Sequence, residues 1–101
     1  MIEHLDYNTK LKMKISIITV CLNSQKTIEY TLNSVMSQTY NNVEHIIVDG
    51  GSNDRTIDII KRYKNKNKKI ILTKGKSLYE SLNIGIKNST GNLISILHSD
   101  D

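Results

Sequence analysis

Proline is absent from this chain, and Cys21 is its only cysteine. Without proline, helix caps and glycines have to do all the punctuating of turns and helix ends. A lone cysteine excludes an internal disulfide, a thiolate zinc site and a C-x-x-C redox pair, and it suits a reducing compartment. Also missing is any apolar stretch approaching the length of a membrane span. The opening "MIEHLDYNTKLKM" has no signal-peptide core and stays polar and patternless up to Met13. Residues 1–12 therefore read as an extension ahead of a domain over 13–101, and the expected compartment is the cytoplasm. Aromatic residues are scarce, at 5%, and the basic run "KRYKNKNKK" (Lys61–Lys69) holds only Tyr63 to stack on a base. No nucleic-acid-binding motif surrounds that run, so it reads as a solvated helix end and loop, and nucleic acid is not an expected partner.

What is present is a small globular composition. The 101 residues are 38% hydrophobic, enough for one small domain or a piece of a larger one. A net charge of +4 makes the surface mildly attractive to anions, phosphorylated metabolites and acidic lipid head groups included.

From Met13 onward two kinds of segment alternate. "KISIITV" (Lys14–Val20) is a β-branched run of the length of a strand buried on both faces. Asn23 and Ser24 are candidate N-caps for a helix over Gln25–Gln38, where Ile28, Leu32, Val35 and Met36 recur at helical spacing. "VEHIIVD" (Val43–Asp49) is a second strand. Ile57, Ile60 and Tyr63 mark a second helix reaching about Lys66. "KIILT" (Lys69–Thr73) is a third strand. Ser77 and Glu80 form an S-x-x-E capping box, which opens a third helix with Leu78, Leu82 and Ile86 along one face. Gly91 is a plausible stop for that helix, and "LISILH" is the fourth strand.

Strand and helix repeated three times and closed by a strand predict an α/β fold, a Rossmann-like parallel sheet with flanking helices. In such sheets ligands bind at the carboxyl ends of the strands. Those ends carry Val20-Cys21-Leu22-Asn23, Asp49-Gly50-Gly51-Ser52, Lys74–Ser77 and Ser99-Asp100-Asp101, so every polar cluster falls on one rim. Two adjacent carboxylates after a buried strand are hard oxygen ligands suited to Mg²⁺ or Mn²⁺, and equally a solvated turn or a cap. Asp49 can accept hydrogen bonds from a bound group or cap its own turn. Gly50 and Gly51 permit close approach of a ligand, or simply a tight turn. Of the histidines, His4 and His45 read as structural or surface residues, and His98 borders the carboxylates. Cys21 reads as a small packed residue and Tyr79 as helix packing.

In order, the chain shows a strand-end Asn, S-x-x-x-Q-T-Y, V-D-G-G-S-x-D-x-T, Y-x-x-x-N-x-G-I, T-G and a terminal S-D-D. Taken together these motifs, from Met13 to Asp101, resemble the donor-binding half of family 2 glycosyltransferases with the GT-A fold. The resemblance implies metal-dependent transfer of a sugar from a nucleotide-diphosphate sugar, typically a UDP-sugar, to a hydroxyl of a glycan, a lipid-linked glycan or another acceptor. It implies that Asp49 bonds the nucleobase, with Val20, Cys21 and Leu22 lining the base pocket. Gly50 and Ser77 join the donor-binding set, Asp100 contacts the ribose or sugar, and Asp101 holds Mn²⁺ or Mg²⁺ between the phosphates. Three departures stand out. Leu22 replaces the family's usual aromatic, Gly75 and Ser77 stand where Asp and Gly are common, and the chain stops where family domains continue.

The last departure leads to the expectation of a fragment without its catalytic base. Such a fragment is expected to be inert, to bind nucleotide weakly, and to self-associate through the exposed edge of "LISILH". A non-catalytic nucleotide-binding or interaction remnant is the alternative, and the expected location extends to peripheral association at the inner face of the membrane. A dinucleotide-binding dehydrogenase is excluded, because "CLNSQK" carries no glycine-rich fingerprint. A phosphoacceptor receiver is disfavoured by Asn23 where acidic residues are wanted.

Overall fold

Seven elements alternate in the computed structural model, which describes residues 13–99. They are β1 (Ile15–Cys21), α1 (Ile28–Met36), β2 (Val43–Asp49), α2 (Thr56–Arg62), β3 (Lys68–Leu72), α3 (Leu78–Lys87) and β4 (Leu93–Ile96). All pairings are parallel and the strand order is β3-β2-β1-β4. The expected α/β sheet is thus present, with the second strand as predicted and the first and third displaced by one residue.

The two-residue period of a strand divides the side chains between two cores. Ile15, Ile17 and Cys21 of β1 and Ile47 of β2 face α1 and α2, where Ile28, Leu32, Val35, Ile60 and Tyr63 meet them. Ile18, Ile46 and Val48 face α3, which covers them with Leu82 and Ile86. Both central strands are therefore buried on both sides, which is why β-branched residues dominate them and why their polar residues, such as Glu44 and His45, are buried too.

Helix boundaries depart from expectation for identifiable reasons. Helix α1 begins at Ile28 rather than Gln25, and neither Asn23 nor Ser24 caps it with a side chain; the N-cap is Thr27. Asn23 has φ 50°, in the left-handed region, far from the extended geometry of an N-cap. Helix α2 stops at Arg62 because Tyr63 turns extended and sets its ring edge-on to His45, with centroids 5.7 Å apart. Lys68 Nζ then donates to the carbonyls of Ile60, Lys61 and Tyr63, serving the helix end from β3. The capping box at Ser77 is present in both its bonds. Leu78 does not share the buried face of α3, being 65% exposed; small Ser81 and Gly85 are the buried residues there.

Gly91 does not stop α3, which ends at Lys87. Its role is close approach. A Cβ at Gly91 would lie 2.5 Å from Ser16 Oγ, 2.7 Å from Ser16 N and 2.8 Å from Lys14 O.

Candidate functional site

A sheet of order 3-2-1-4 has its topological switch beside β1, where the crossovers before β2 and before β4 leave on opposite faces. A crevice opens there, at the carboxyl ends of the strands, as the geometry of such sheets requires. It measures about 640 Å³ and is lined by the stretch from Val20 to Thr27, by Gly50 and Asp54, by Lys76, Leu78 and Ser81, and by His98 and Ser99. The expected rim is real.

The loops on either side of this cleft are stitched together by side chains reaching backbone. Asn23 Oδ1 accepts from Asn53 N (2.9 Å), while Asn23 N donates to Ser52 Oγ (2.8 Å). Ser24 N donates to Thr56 Oγ1 (2.7 Å), and Gln25 Oε1 accepts from Arg55 N (3.0 Å). Below them Gly50 N donates to Cys21 O (2.9 Å). Polar groups that look like ligand contacts in the sequence are thus spent on holding the loops after β1 and β2.

Asp49 is the chief case. Its carboxylate is fully buried, and all four acceptor directions are taken. Oδ2 accepts from Gly51 N (3.0 Å) and Ser52 N (2.8 Å), and Oδ1 from Ser52 Oγ (2.5 Å) and Cys21 Sγ (3.5 Å). In this geometry Asp49 caps the turn after β2, the second of the two roles that the sequence left open for it. That turn needs Gly51, whose φ of 110° is closed to ordinary side chains. Ser77 likewise commits its hydroxyl to Glu80 N, 3.1 Å away. Its neighbours Lys76 and Leu78, not Ser77, line the cleft.

Val20, Cys21, Leu22 and Gly50 do come together, as a largely apolar floor. Burial, and then the neighbouring Asp49 carboxylate, push the Cys21 thiol well above its ordinary pKa. It stays a neutral thiol that packs rather than reacts. Lys26 and Lys76 bring two cations to the same cleft. Neither stood out in the sequence, where both are single lysines in a lysine-rich chain. Asp100 and Asp101, expected at the sugar and the metal, lie outside the described residues. Among the described residues no group of three His, Cys, Asp or Glu side chains is placed to hold a metal. The carboxylate oxygens of Asp100 and Asp101 are, by their chemistry, donors that would fit a hard cation.

A family model described as Glycosyl transferase family 2 matches residues 16–101. The chain belongs to that family. Among its family 2 relatives is the Escherichia coli UDP-Glc:alpha-D-GlcNAc-diphosphoundecaprenol beta-1,3-glucosyltransferase WfaP. It is 41% identical over 90 residues, which is 86% of this chain and 35% of WfaP. The poly-beta-1,6-N-acetyl-D-glucosamine synthase of Staphylococcus aureus (strain COL) is 32% identical over 97 residues, covering 94% of this chain and 24% of the synthase. Among solved structures, S. aureus TarS 1-349 has a TM-score of 0.81 at 33% identity, over 88% of this chain and 28% of that 1-349 chain. The Pyrobaculum calidifontis mannosyltransferase PcManGT, in complex with GDP-Man and Mn²⁺, has a TM-score of 0.82 at 21% identity, covering 87% of this chain and 28% of that one. At that identity the likeness concerns the fold. The chain spans between 13% and 36% of the length of the curated relatives it matches.

Proposed function

We propose that this chain is the donor-binding part of a glycosyltransferase that moves a sugar from a nucleotide-diphosphate sugar, best a UDP-sugar, to an acceptor hydroxyl. The observation that carries the reading is the cleft itself. Its apolar floor of Cys21, Leu22 and Gly50 suits the face of a base, while Lys26 and Lys76 suit the negative charge of a diphosphate. The likeness to WfaP, named for a UDP-Glc donor and a diphosphoundecaprenol-linked acceptor, supports both donor class and a lipid-linked or glycan acceptor.

In this reading Val20, Cys21, Leu22 and Gly50 receive the base, Lys76 and Lys26 orient the diphosphate, and Asp100 meets the ribose or sugar. Asp101 would hold Mn²⁺ or Mg²⁺, a cation that when bound offsets charge on the departing diphosphate. Asp49 serves indirectly by shaping the floor. A lipid-linked glycan acceptor would bring the protein to the inner membrane face, and no helix among the described residues is long and apolar enough to cross it. Ile94 and Ile96, 41% and 47% exposed on edge strand β4, give a route to self-association.

Titration calorimetry with UDP, GDP and UDP-sugars, each with Mn²⁺ or with EDTA, tests the reading. The expected result is weak but metal-enhanced binding that prefers uridine nucleotides, with the enhancement lost in Asp101→Ala. Absence of nucleotide binding, or an Asp101→Ala variant with the full metal effect, would overturn it. Sugar transfer, as opposed to binding alone, separates an enzyme from a nucleotide-binding remnant.

A further inference from the structure

We infer that the outer face of α1 and α2 is a docking surface for an anionic phospholipid bilayer, with Arg55 and Arg62 as its phosphate contacts. Residues spaced i, i+4 and i+7 share one stripe of a helix. On α1 such a stripe is Glu29, Asn33 and Met36; on α2 and its N-cap it is Arg55, Ile59 and Arg62. Between them runs a groove of about 470 Å³ with Leu32 and Ile59 in its lining. Two smaller hollows, of about 330 and 320 Å³, continue from it, and Arg62 lines all three.

Charge says what covers this face. Around the hollows stand Lys26, Arg55, Lys61, Arg62 and Lys64 against only Glu29 and Asp58. Among the described residues the ion pairs are those of Glu44 with Lys14 and Lys69, so no carboxylate neutralises either arginine. Both arginines are exposed, and they are the only two in the chain. Helix α3, on the other face of the sheet, carries Glu80 and Lys87, whose charges cancel. A guanidinium meets phosphate oxygens in pairs and is more weakly hydrated than an ammonium. Beside these cations are apolar groups that a small soluble anion would leave uncovered: Met36, 50% exposed, and Tyr30, 71% exposed. A bilayer interface accepts both kinds of group. Nucleic acid fits less well, because Tyr63, the aromatic in the groove lining, is buried with its ring edge-on to His45. The surface also adjoins the cleft, since Gln25 and Lys26 line both the cleft and the neighbouring hollow. A bilayer seated here would bring its head groups to the cleft mouth.

The inference rests on the proposed function only for the lipid-linked acceptor that such a bilayer would carry. Co-sedimentation of the whole chain with phosphatidylcholine vesicles, with and without phosphatidylglycerol, tests it. The expected result is partitioning onto the phosphatidylglycerol vesicles alone, reversed when NaCl is raised from about 0.05 to about 0.5 M. Each cation at an anionic surface is worth about fivefold in partitioning, so Arg55→Gln combined with Arg62→Gln should lower it about 25-fold. Lys87→Glu changes the net charge by the same amount on the opposite face of the sheet, and should keep partitioning within about threefold of wild type. Equal binding to both kinds of vesicle, or binding indifferent to salt, would overturn the inference. So would a Lys87→Glu variant as impaired as the arginine pair, which would reduce the effect to net charge, or retention of a single-stranded RNA in preference to the vesicles. Titration with UDP decides the proposed function separately. UDP binding without vesicle binding overturns this surface alone, and vesicle binding without UDP binding overturns that function alone.

Discussion

The two ends of the sheet solve opposite problems with similar residues. At the amino end, Glu44 is almost fully buried and completely surrounded. Its Oε2 accepts from Ser16 Oγ (2.5 Å), Thr90 N (2.6 Å) and Thr90 Oγ1 (3.1 Å), and Oε1 lies 3.2 Å from Lys69 Nζ and 3.7 Å from Lys14 Nζ. Gly91 packs into the same knot, donating from its N–H to Ser16 Oγ (2.8 Å). Nearby, buried His45 pairs with Thr19 Oγ1 and the Tyr63 hydroxyl. At the carboxyl end the polar side chains are equally well partnered, but they are arranged around a space. Asp49 braces its own turn, Asn23 and Ser24 tie the loops after β1 and β2 to each other, and the floor of Val20, Cys21, Leu22 and Gly50 stays open beside them. A buried carboxylate thus marks the site in neither case. The difference lies in whether the groups close on one another or frame a gap.

Acid should expose the contrast most strongly, because the groups whose protonation opposes the fold cluster at the closed end. Burial alone raises the Glu44 pKa, but the bonds from Ser16, Thr90 and Lys69 outweigh it and hold the group at about 2, below its ordinary 4.5. Burial lowers His45 from 6.5 to about 4. Both folded-state values are depressed, so the unfolded chain binds more protons and stability falls as pH drops. The histidine's share is lost between about 6.5 and 4 and the glutamate's between about 4.5 and 2. Each tenfold difference in proton affinity between the folded and unfolded chain is worth roughly 1.4 kcal/mol. Thermal melts from pH 7 to pH 3 should show a decline beginning below about 6.5, and its early part should disappear in a His45→Gln variant.

Next in size is Gly91→Ala. The methyl would meet backbone on two sides within 2.8 Å, and overpacking of that kind costs about 2–3 kcal/mol. Denaturant unfolding should show it as a lower midpoint with the same slope. Asp49→Ala strips the turn after β2 of its acceptor and leaves two backbone N–H groups searching for partners. A loss of about 2 kcal/mol is expected. If Asp49 is a turn-former, its removal should lower stability and weaken all nucleoside diphosphates alike. A selective loss of uridine nucleotides with unchanged melting would restore it as a base reader.

The smallest effect on stability belongs to Gly50→Ala, at the open end. A Cβ there meets nothing nearer than Cys21 O at 3.7 Å, and the backbone is not in the left-handed region. Stability should change by no more than about 0.5 kcal/mol. If the base lies on this floor, UDP affinity should nevertheless fall in the same variant. Calorimetry beside a thermal melt on one sample checks both halves.

Much of this architecture is legible in the chain. The β-branched residues give β1 and β2, because strands buried on both faces favour apolar side chains on both faces and must partner the polar ones they include. The S-x-x-E box gives the start of α3, because capping is a local transaction between residues three apart. The rim follows from parallel topology. The individual roles at the rim were less legible. Asp49 reads as a free acceptor until the turn folds Gly51 and Ser52 back onto it. Gly91 reads as a helix stop until β1 passes within touching distance. Glu44 reads as an ordinary strand residue, although Ser16, Thr90, Lys69 and Lys14 all converge on it.

By itself, then, the order of residues determined which segments are strands and helices, the parallel sheet, and the family to which the chain belongs, since each depends on periodicity or on motifs read along the chain. Tertiary structure alone decided which polar groups are consumed and which walls stay open. It turned Asp49 inward, put Lys26 and Lys76 on one cleft, and sent the Thr31 hydroxyl across to Ser99. The physical reason is that a hydrogen-bonding group buried on folding takes whatever partner the packing brings within about 3 Å, and that partner can lie dozens of residues away in sequence.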